Sequence, residues 1–251
     1  MSHAIYPSLK GRTVFISGGA SGIGADVVAA FAAQGSNVGF VDIDDKSGEA
    51  LAQKLGAGTV FYQHCDITDI EALRAAIAAV RARFGPIGAL VNNAANDTRH
   101  KVAEVTPEFF DRTVAVNLKH QYFAAQAVAP DMAQLGMGSI INLGSVSWMN
   151  KNADLSVYAT CKSAAQGLTR TLARDLGKQN IRVNTIVPGW VMTERQLKLW
   201  VKPESGAEID AAQCLPGRVM GTDIAAMALF LAADDSRMCS AQNFIVDAGW
   251  S

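Results

Sequence analysis

Short apolar runs alternate along the chain with longer stretches in which apolar residues recur at helical spacing. The short runs are rich in β-branched and aromatic residues, which predicts strands over 13–17, 37–41, 59–62, 89–91, 139–143, 181–187 and 244–246. The longer stretches predict helices over 24–34, 49–55, 69–84, 106–135, 156–177 and 223–233. Pro130 falls inside the fourth of these helices and is expected to kink or end it.

This alternation predicts the fold class. Repeated β-α-β units with short turns place parallel strands side by side and cover both faces of the sheet with helices. We therefore expect an α/β fold, a doubly wound parallel sheet, in a single domain over residues 1–251. The segment at about 190–218 is too long for an ordinary connection and is expected to be a lid over a binding site.

Composition and charge exclude several classes of protein. Hydrophobic residues make up 49% of the chain and charged residues 18%, so the chain can bury a core. Twenty-two Lys and Arg against 23 Asp and Glu leave a net charge of -1, which gives no electrostatic basis for nucleic-acid or membrane binding. No apolar run reaches the roughly 20 residues of a membrane helix, and we expect a cytoplasmic protein.

The four cysteines and four histidines argue against a metal site or a disulfide scaffold. The cysteines lie far apart without a C-x-x-C pair, and the histidines show no metal-ligand spacing. We expect reduced thiols and chemistry that needs no metal.

The first predicted strand leads directly into a glycine-rich turn and then into a helix. Gly18, Gly22 and Gly24 let the backbone turn tightly and approach a pyrophosphate, with Ser21 and Ile23 between them. The N-terminal N–H groups of the helix then face the phosphate charge. Many such turns carry glycine for steric reasons alone, so the prediction depends on the order strand, turn, helix.

Asp42 ends the second predicted strand, 18 residues beyond Gly24. A carboxylate there can accept hydrogen bonds from both hydroxyls of an adenosine ribose and repels a 2′-phosphate. Neither Ser21 nor Ile43 supplies a cation for such a phosphate, so the sequence favours NAD over NADP.

Polar residues also follow the third and fourth predicted strands. Asp66, next to Ile67, is placed to accept from the adenine amino group, although a helix-capping Asp would look the same. Asn93 lies at the carboxyl edge of the sheet, where α/β folds bind their ligands.

Tyr158 and Lys162 are four positions apart on one predicted helix, so their side chains share a face. Ser145 lies thirteen residues before Tyr158, just after a predicted buried strand, and Asn117 interrupts an apolar stretch of the preceding helix. Taken alone, Ser145 can be a turn residue and Asn117 a buried amide bonded to backbone.

In combination these motifs resemble the short-chain dehydrogenase/reductase family over essentially the whole chain. The resemblance rests on the glycine segment, Asn92-Asn93-Ala94, Asn117, Ser145, Tyr158 with Lys162, and Pro188-Gly189. It implies a Rossmann-type fold, an enzyme with NAD as cofactor and a homotetramer.

The resemblance also implies roles for single residues. Asn117, Ser145, Tyr158 and Lys162 become the catalytic set, in which Asn117 holds a water for proton relay and Lys162 contacts the nicotinamide ribose. Alcohol oxidation needs a base, and a free tyrosine has a pKa of about 10. Lys162 and the positive nicotinamide are expected to lower that pKa, and Ser145 to hold the substrate oxygen beside Tyr158. The backbone around Val191 and Thr193 is expected to meet the carboxamide.

Two positions depart from the family pattern. Ser17 stands where the family commonly has Thr, which keeps the hydroxyl. Ala95 stands where it commonly has Gly, and the added methyl is expected to crowd the backbone near the nicotinamide.

Further segments resemble bacterial NAD-dependent sugar 1-dehydrogenases of the kind that oxidises D-xylose. They are residues 4–11, Asn96-Asp97, Arg99-His100-Lys101, residues 211–215 and Asp247-Ala248-Gly249-Trp250. They imply oxidation of the C1 hydroxyl of a cyclic aldose to its lactone, with D-xylose as first choice and L-arabinose, D-galactose and L-fucose as alternatives.

The residues expected to contact this sugar are Asn96, Ser145, Ser147, Tyr158 and Trp190. Asn and Ser here can equally serve turns, and 99–101 is expected to be a solvated turn. A dehydrogenase of another secondary alcohol, such as a polyol, a hydroxy acid or a 3-oxoacyl substrate, stays open. A non-catalytic NAD sensor is less consistent with the presence of Ser145, Tyr158 and Lys162.

Overall fold

The computed structural model describes residues 3–251, and within them seven strands form one sheet. The strands are β1 (Thr13–Ser17), β2 (Asn37–Asp42), β3 (Val60–His64), β4 (Ile87–Asn92), β5 (Gly138–Leu143), β6 (Ile181–Pro188) and β7 (Asn243–Val246). All neighbours are parallel, in the order β3-β2-β1-β4-β5-β6-β7. The doubly wound parallel sheet predicted from the sequence is confirmed, and its strand order reverses between β1 and β4.

Helices cover both faces of this sheet. They are α1 (Gly22–Ala33), α2 (Asp45–Leu55), α3 (Ile70–Phe84), α4 (Pro107–Val114), α5 (His120–Leu135), α6 (Ser156–Leu176), α7 (Glu194–Leu199), α8 (Ser205–Ala212) and α9 (Gly221–Ala232). None of the helices in the described part of the chain is both long and apolar enough to cross a membrane.

The core consists of two apolar clusters, one on each face of the sheet. Successive side chains of a strand point to opposite faces, so Val14 of β1 packs in one cluster and Phe15 in the other. Phe31 of α1 and Leu229 of α9 belong to the first cluster, and Met132 of α5 belongs to the second. Because both faces are buried, the strands are near-continuous apolar runs, as parallel sheets require.

Two features of the helices differ most from the prediction. α2 begins four residues earlier than predicted, because the Asp44 carboxylate accepts from the Ser47 N–H at 3.1 Å and caps it. A π-helical turn over Ala115–Lys119 joins α4 to α5. Of the two alternatives for Pro130, an end of the helix is not observed: α5 continues through it to Leu135, the predicted end, because side chains on either side of the proline are packed on the sheet.

The segment 190–218 contains two short helices, α7 and α8, which the periodicity of the sequence did not predict. The segment follows β6 and lies at the carboxyl edge of the sheet. Its position there is what the lid hypothesis requires.

Candidate active site

A cavity of about 480 Å³ lies at the carboxyl edge of the sheet. Among its lining residues are nine that the sequence predicted: Ile23, Asn93, Ser145, Ser147, Tyr158, Lys162, Trp190, Val191 and Thr193. The remaining predicted residues do not line this cavity: Gly18, Ser21, Gly22, Gly24, Asp42, Asp66, Ile67, Asn96 and Asn117. Most of these belong to the glycine turn and to strand ends beside it.

The glycine turn is folded so tightly that side chains do not fit. Gly18 has φ +67°, and a Cβ there would lie 2.7 Å from the Cα of Ala94. A Cβ on Gly24 would collide with the carbonyl oxygen of Gly18. Ser21 is the N-cap of α1 but makes no side-chain capping bond within the described residues, so the N-terminal N–H groups of the helix can receive an anion. The turn therefore fits a dinucleotide pyrophosphate.

Asp42 lies at the end of β2 and braces this turn. Its Oδ2 accepts from the Ala20 N–H at 3.0 Å, and its Oδ1 accepts from the Ile43 N–H at 2.8 Å. Oδ1 also accepts from the Asp44 N–H at 3.2 Å, so the lone pair that remains for a ribose hydroxyl is on Oδ2.

Asp66 and Ile67 follow β3. Asp66 is exposed, and its Oδ1 accepts from the N–H and the hydroxyl of Thr68 at 2.9 and 2.8 Å, while Ile67 is buried. In this structure Asp66 holds its own turn and does not cap a helix, since Asp69 is the N-cap of α3; its contact with adenine stays a prediction.

Asn93 and Ser17 join β4 to the glycine turn. The Asn93 amide donates to the carbonyl oxygens of Ser17 and Gly18 at 3.1 and 2.7 Å. The Ser17 hydroxyl accepts from the N–H groups of Asn93 and Ala94 at 3.1 and 3.2 Å, so the hydroxyl common to Ser and Thr is used. Ala95 lines the cavity without a positive φ, so the methyl group at this position requires no unusual backbone.

The Asn117 side chain is buried in the π-helical turn, and both of its amide hydrogens are used. Its Oδ1 accepts from the Asn96 N–H at 3.0 Å, and its Nδ2 donates to the carbonyl oxygens of Asn96 and Thr113 at 3.1 and 3.0 Å. It therefore fixes the loop after β4, and its amide has no hydrogen left for the water that the resemblance implied. Two acceptors keep capacity for a further bond: Oδ1 of the side chain, and the Asn117 backbone carbonyl oxygen, which accepts from Gln121 Nε2 at 3.2 Å.

Ser145, Tyr158 and Lys162 come together in the cavity. Lys162 is buried, and its Nζ donates to the Leu143 carbonyl oxygen at 2.8 Å and lies 5.6 Å from the centre of the Tyr158 ring. Burial lowers the pKa of Lys162 to about 8. Ser145 lies just after β5, and Tyr158 and Lys162 lie on the first two turns of α6, the next α-helix of the chain, which brings the three side chains to one place.

The expected lowering of the Tyr158 pKa is not present in the protein alone. Burial and the negative charge of Asp97 raise the pKa of Tyr158, and contact with the Ser145 hydroxyl and the positive charge of Arg99 only partly oppose them. Lys162 is directed to a backbone carbonyl and does not oppose the effect of burial. A phenolate at this position needs an additional positive charge in the cavity.

His120 is a further buried group at this edge. It is the first residue of α5, and neither of its ring nitrogens has a hydrogen-bond partner in the described part of the protein. Burial, followed by the charge of Lys162, lowers the pKa of His120 to about 3, so its ring is neutral.

The structure bears on two expectations about the substrate residues. Asn96 is exposed, and its Oδ1 accepts from the N–H and hydroxyl of Thr98 at 3.0 and 2.6 Å, so it serves a turn, while its contact with a sugar stays a prediction. The segment 99–101 is not simply solvated, since Arg99 lines the cavity and His100 is buried against Phe109.

Sequence reasoning did not place five charged, polar or aromatic side chains of the cavity wall among the substrate-contacting residues. They are Asp97, Arg99, Gln196, Glu208 and Trp250. Asp97 and Arg99 follow a strand at the carboxyl edge, and that position was a usable signal. Gln196 and Glu208 come from the 190–218 segment, which was predicted as a lid without these residues being named. Trp250 comes from the residues after β7, which only the resemblance to sugar dehydrogenases had singled out.

The acidic side chains of the cavity wall do not form a cluster. Within residues 3–251, no three His, Cys, Asp or Glu side chains are grouped so that they can hold a metal ion. Asp97 is held instead by Gln196 Nε2 at 2.7 Å and by Arg195 Nε at 3.3 Å. Its carboxylate is therefore a fixed hydrogen-bond acceptor in the wall.

Comparisons with known proteins agree with this geometry. A family model described as enoyl-(acyl carrier protein) reductase matches residues 18–251. The chain is 49% identical to D-xylose 1-dehydrogenase of Caulobacter vibrioides over the full length of both proteins. It is 44% identical to a probable galactose dehydrogenase of Rhizobium meliloti, covering 97% of this chain and 96% of that one.

A solved structure is also similar. It is a blue fluorescent protein from a metagenomic library in complex with NADPH, with a TM-score of 0.89 and 34% identity. The similarity covers 97% of this chain and 99% of that one.

Proposed function

The chain belongs to the short-chain dehydrogenase/reductase family, and from that premise we propose that it oxidises the C1 hydroxyl of a cyclic aldose to the lactone with NAD. The observation that carries the proposal is the cavity, in which Ser145 and Tyr158 face a polar wall that includes Asp97 and Gln196. A polyol ring needs both a base for one hydroxyl and hydrogen-bonding groups for the others. Full-length similarity to two proteins named for aldose oxidation supports the choice of substrate.

In this mechanism Tyr158 is the base. Its phenolic oxygen takes the proton of the C1 hydroxyl while the C1–H bond breaks and a C1=O double bond forms. When bound, NAD accepts the hydride that leaves C1 and supplies the positive charge that favours the phenolate. Ser145 donates to the C1 oxygen and keeps it beside Tyr158.

The dinucleotide would lie along the carboxyl edge of the sheet. The glycine turn at Gly18–Gly24 would hold the pyrophosphate, Asp42 the adenosine ribose and Lys162 the nicotinamide ribose. Asp42 is the basis for proposing NAD, because its carboxylate would repel a 2′-phosphate. The NADPH in the blue fluorescent protein belongs to that protein, and the preference of this chain is a matter for measurement.

The test is the appearance of reduced nicotinamide with NAD and a panel of alcohols. The panel contains D-xylose, L-arabinose, D-galactose and L-fucose, together with polyols and simple secondary alcohols. We expect turnover on one or two of the aldoses, with a lactone as product. Turnover on a polyol or a simple alcohol alone would keep the hydride chemistry and contradict the proposed substrate.

We also propose that the protein is a homotetramer, that residues 1–251 form one domain and that it acts in the cytoplasm. Family membership supports the first of these. Light scattering coupled to size exclusion gives the mass of the assembly directly, and a monomer would contradict the proposal.

A further inference from the structure

Two tryptophans from neighbouring parts of the sheet meet in the wall of the cavity. Trp190 follows β6 and Trp250 follows β7, and their ring centres are 6.2 Å apart with the planes inclined at 59°. Both line the cavity that contains Ser145 and Tyr158.

The segment after β7 is folded into a turn that places Trp250 there. Asp247 is buried; its Oδ1 accepts from the Gly249 N–H at 2.8 Å, and its Oδ2 accepts from the Ser251 N–H at 2.7 Å. Ala248 and Gly249 both have positive φ, 59° and 81°. Alanine rarely adopts this conformation, so the bonds to Asp247 hold a backbone that would otherwise relax.

This turn is also joined to the 190–218 segment. The Ala248 carbonyl oxygen accepts from the N–H groups of Cys214 and Leu215 at 2.9 and 3.1 Å. The Gly189 N–H donates to the Val246 carbonyl oxygen at 2.9 Å, so the two tryptophans are carried on paired backbone. The position of Trp250 is therefore fixed from both sides.

A chain of side-chain hydrogen bonds continues from the tryptophans across the cavity wall. The Trp190 indole N–H donates to Gln196 Oε1 at 3.1 Å, and Gln196 Nε2 donates to Asp97 Oδ2 at 2.7 Å. The same carboxylate is within 3.3 Å of Arg195 Nε. Aromatic faces thus lie next to an ordered polar edge, and a sugar ring presents the same combination, with C–H groups on its face and hydroxyls around its rim.

We propose that Trp250 and Trp190 form an aromatic subsite for the aldose ring, and that Trp250 determines which ring substituents the enzyme accepts. The proposal rests on the proposed function. An electron-rich indole face attracts the positively polarised C–H groups of the ring, while Asp97 and Gln196 are close enough to order its hydroxyls. A pentose and a hexose differ by one ring substituent, so a large rigid side chain in the wall discriminates between them by steric contact.

The test compares Trp250→Ala and Trp250→Phe with wild type on D-xylose, D-galactose and cyclohexanol. Trp148→Phe is the matched control, because Trp148 does not line this cavity. For Trp250→Ala we expect KM for the aldoses to rise about tenfold with kcat little changed. The ratio of kcat/KM between pentose and hexose should change by at least about threefold, and kcat/KM for cyclohexanol should stay within about twofold. Trp250→Phe should keep most of the aldose affinity, since it keeps an aromatic face.

The possible outcomes distinguish a failure of the proposed subsite from a failure of the proposed function. Wild-type turnover on aldoses with an unchanged KM in Trp250→Ala would overturn the subsite and leave the proposed function standing. An equal loss on aldoses and cyclohexanol would mean that Trp250 only supports the fold, which also overturns the subsite. If wild type oxidises no aldose, both proposals are wrong. Binding of NADH, followed by its fluorescence, confirms that each variant is folded.

Discussion

Charged and polar side chains at the two edges of the sheet differ in whether they have partners of opposite charge. At the amino edge, Arg12 lies just before β1 with little of its side chain exposed, and its Nη2 donates to Asp234 Oδ1 at 2.8 Å. Asp131 accepts from Arg81 Nε at 2.6 Å and from the N–H of Ile87, the first residue of β4, at 3.1 Å. The charges there are paired, which is the arrangement that burial normally requires.

At the carboxyl edge the same requirement is not met. Lys162 is buried with a neutral carbonyl oxygen as its acceptor, and burial lowers its pKa to about 8. His120 has no partner for either ring nitrogen among the described residues, and burial raises the pKa of Tyr158. Lys162 and Tyr158 line the cavity, whereas His120 does not, and strongly perturbed groups at a cavity are typical of functional sites.

The difference shows which groups serve stability and which serve chemistry. Pairing the charges at the amino edge stabilises the sheet, whereas leaving Lys162 and Tyr158 without opposite charges keeps them able to respond when a charged ligand enters. Substitutions at the two edges should therefore affect stability and activity separately.

The largest effect is expected from Tyr158→Phe at the carboxyl edge. It removes the proposed base and leaves the ring, so kcat should fall about a thousandfold. Binding of NADH, measured by fluorescence titration, should stay within about twofold, and the midpoint of urea unfolding should not fall. A variant that keeps more than about a tenth of the wild-type kcat would exclude Tyr158 as the base.

Asp131→Ala is the corresponding change at the amino edge. It leaves Arg81 without its carboxylate and the buried Ile87 N–H without an acceptor, and should lower the free energy of unfolding by about 3 kcal/mol. Asp131→Asn keeps an acceptor for the N–H and should cost about half as much. Urea unfolding measures both, and kcat of the folded variants should equal that of wild type. A loss of kcat in the folded Asp131→Ala and Asp131→Asn variants would contradict the expectation that substitutions at the amino edge affect stability and not activity.

Lys162→Met should have opposite effects on activity and stability. It removes the proposed contact with the cofactor, so turnover with NAD should fall. It also removes a buried charge, so the free energy of unfolding at pH 7 should rise by about 2 kcal/mol, which is the desolvation penalty less the contribution of one hydrogen bond.

The pH dependence gives the sign of the Lys162 effect. Its pKa falls from 10.5 to about 8 on folding, so between these values the unfolded chain binds more protons than the folded protein. Wild-type stability should therefore gain about 1.4 kcal/mol per pH unit from this group between about pH 8 and 10.5, and Lys162→Met should lack that gain. Parallel stability curves for the two proteins would contradict a buried, charged Lys162.

Much of the fold could be predicted because its signals are local. The strands are near-continuous apolar runs, and the glycine turn needs Gly18 and Gly24 for steric reasons that the backbone alone imposes. Pro130 does not end α5, because packing of the helix on the sheet overrides a local preference against proline. The early beginning of α2 depends on a single cap at Asp44.

The site was only partly predictable, because long-range pairing builds its outer wall. Ser145 comes just after strand β5, and Tyr158 and Lys162 lie on the next α-helix, α6, so their spacing in the sequence is enough to predict that they come together. Trp250 reaches the cavity only through the turn at Asp247, and no periodicity encodes that turn. Asn96 and Asp97 are adjacent in sequence, but only Asp97 lines the cavity, where Gln196 holds its carboxylate.

Asp42 combines features of the two edges. It lies at the carboxyl edge, yet its carboxylate accepts from backbone N–H groups, as Asp131 accepts from the Ile87 N–H at the amino edge. Asp42→Ala should therefore reduce both the preference for NAD over NADP and the stability of the protein. We expect the ratio of kcat/KM for NAD to that for NADP to fall about tenfold, and the free energy of unfolding to fall by about 1 kcal/mol. Asp44→Asn, which keeps the α2 cap two residues away, is the control and should leave the cofactor ratio unchanged. An unaltered ratio in Asp42→Ala would mean that this carboxylate only braces the glycine turn and does not select the cofactor.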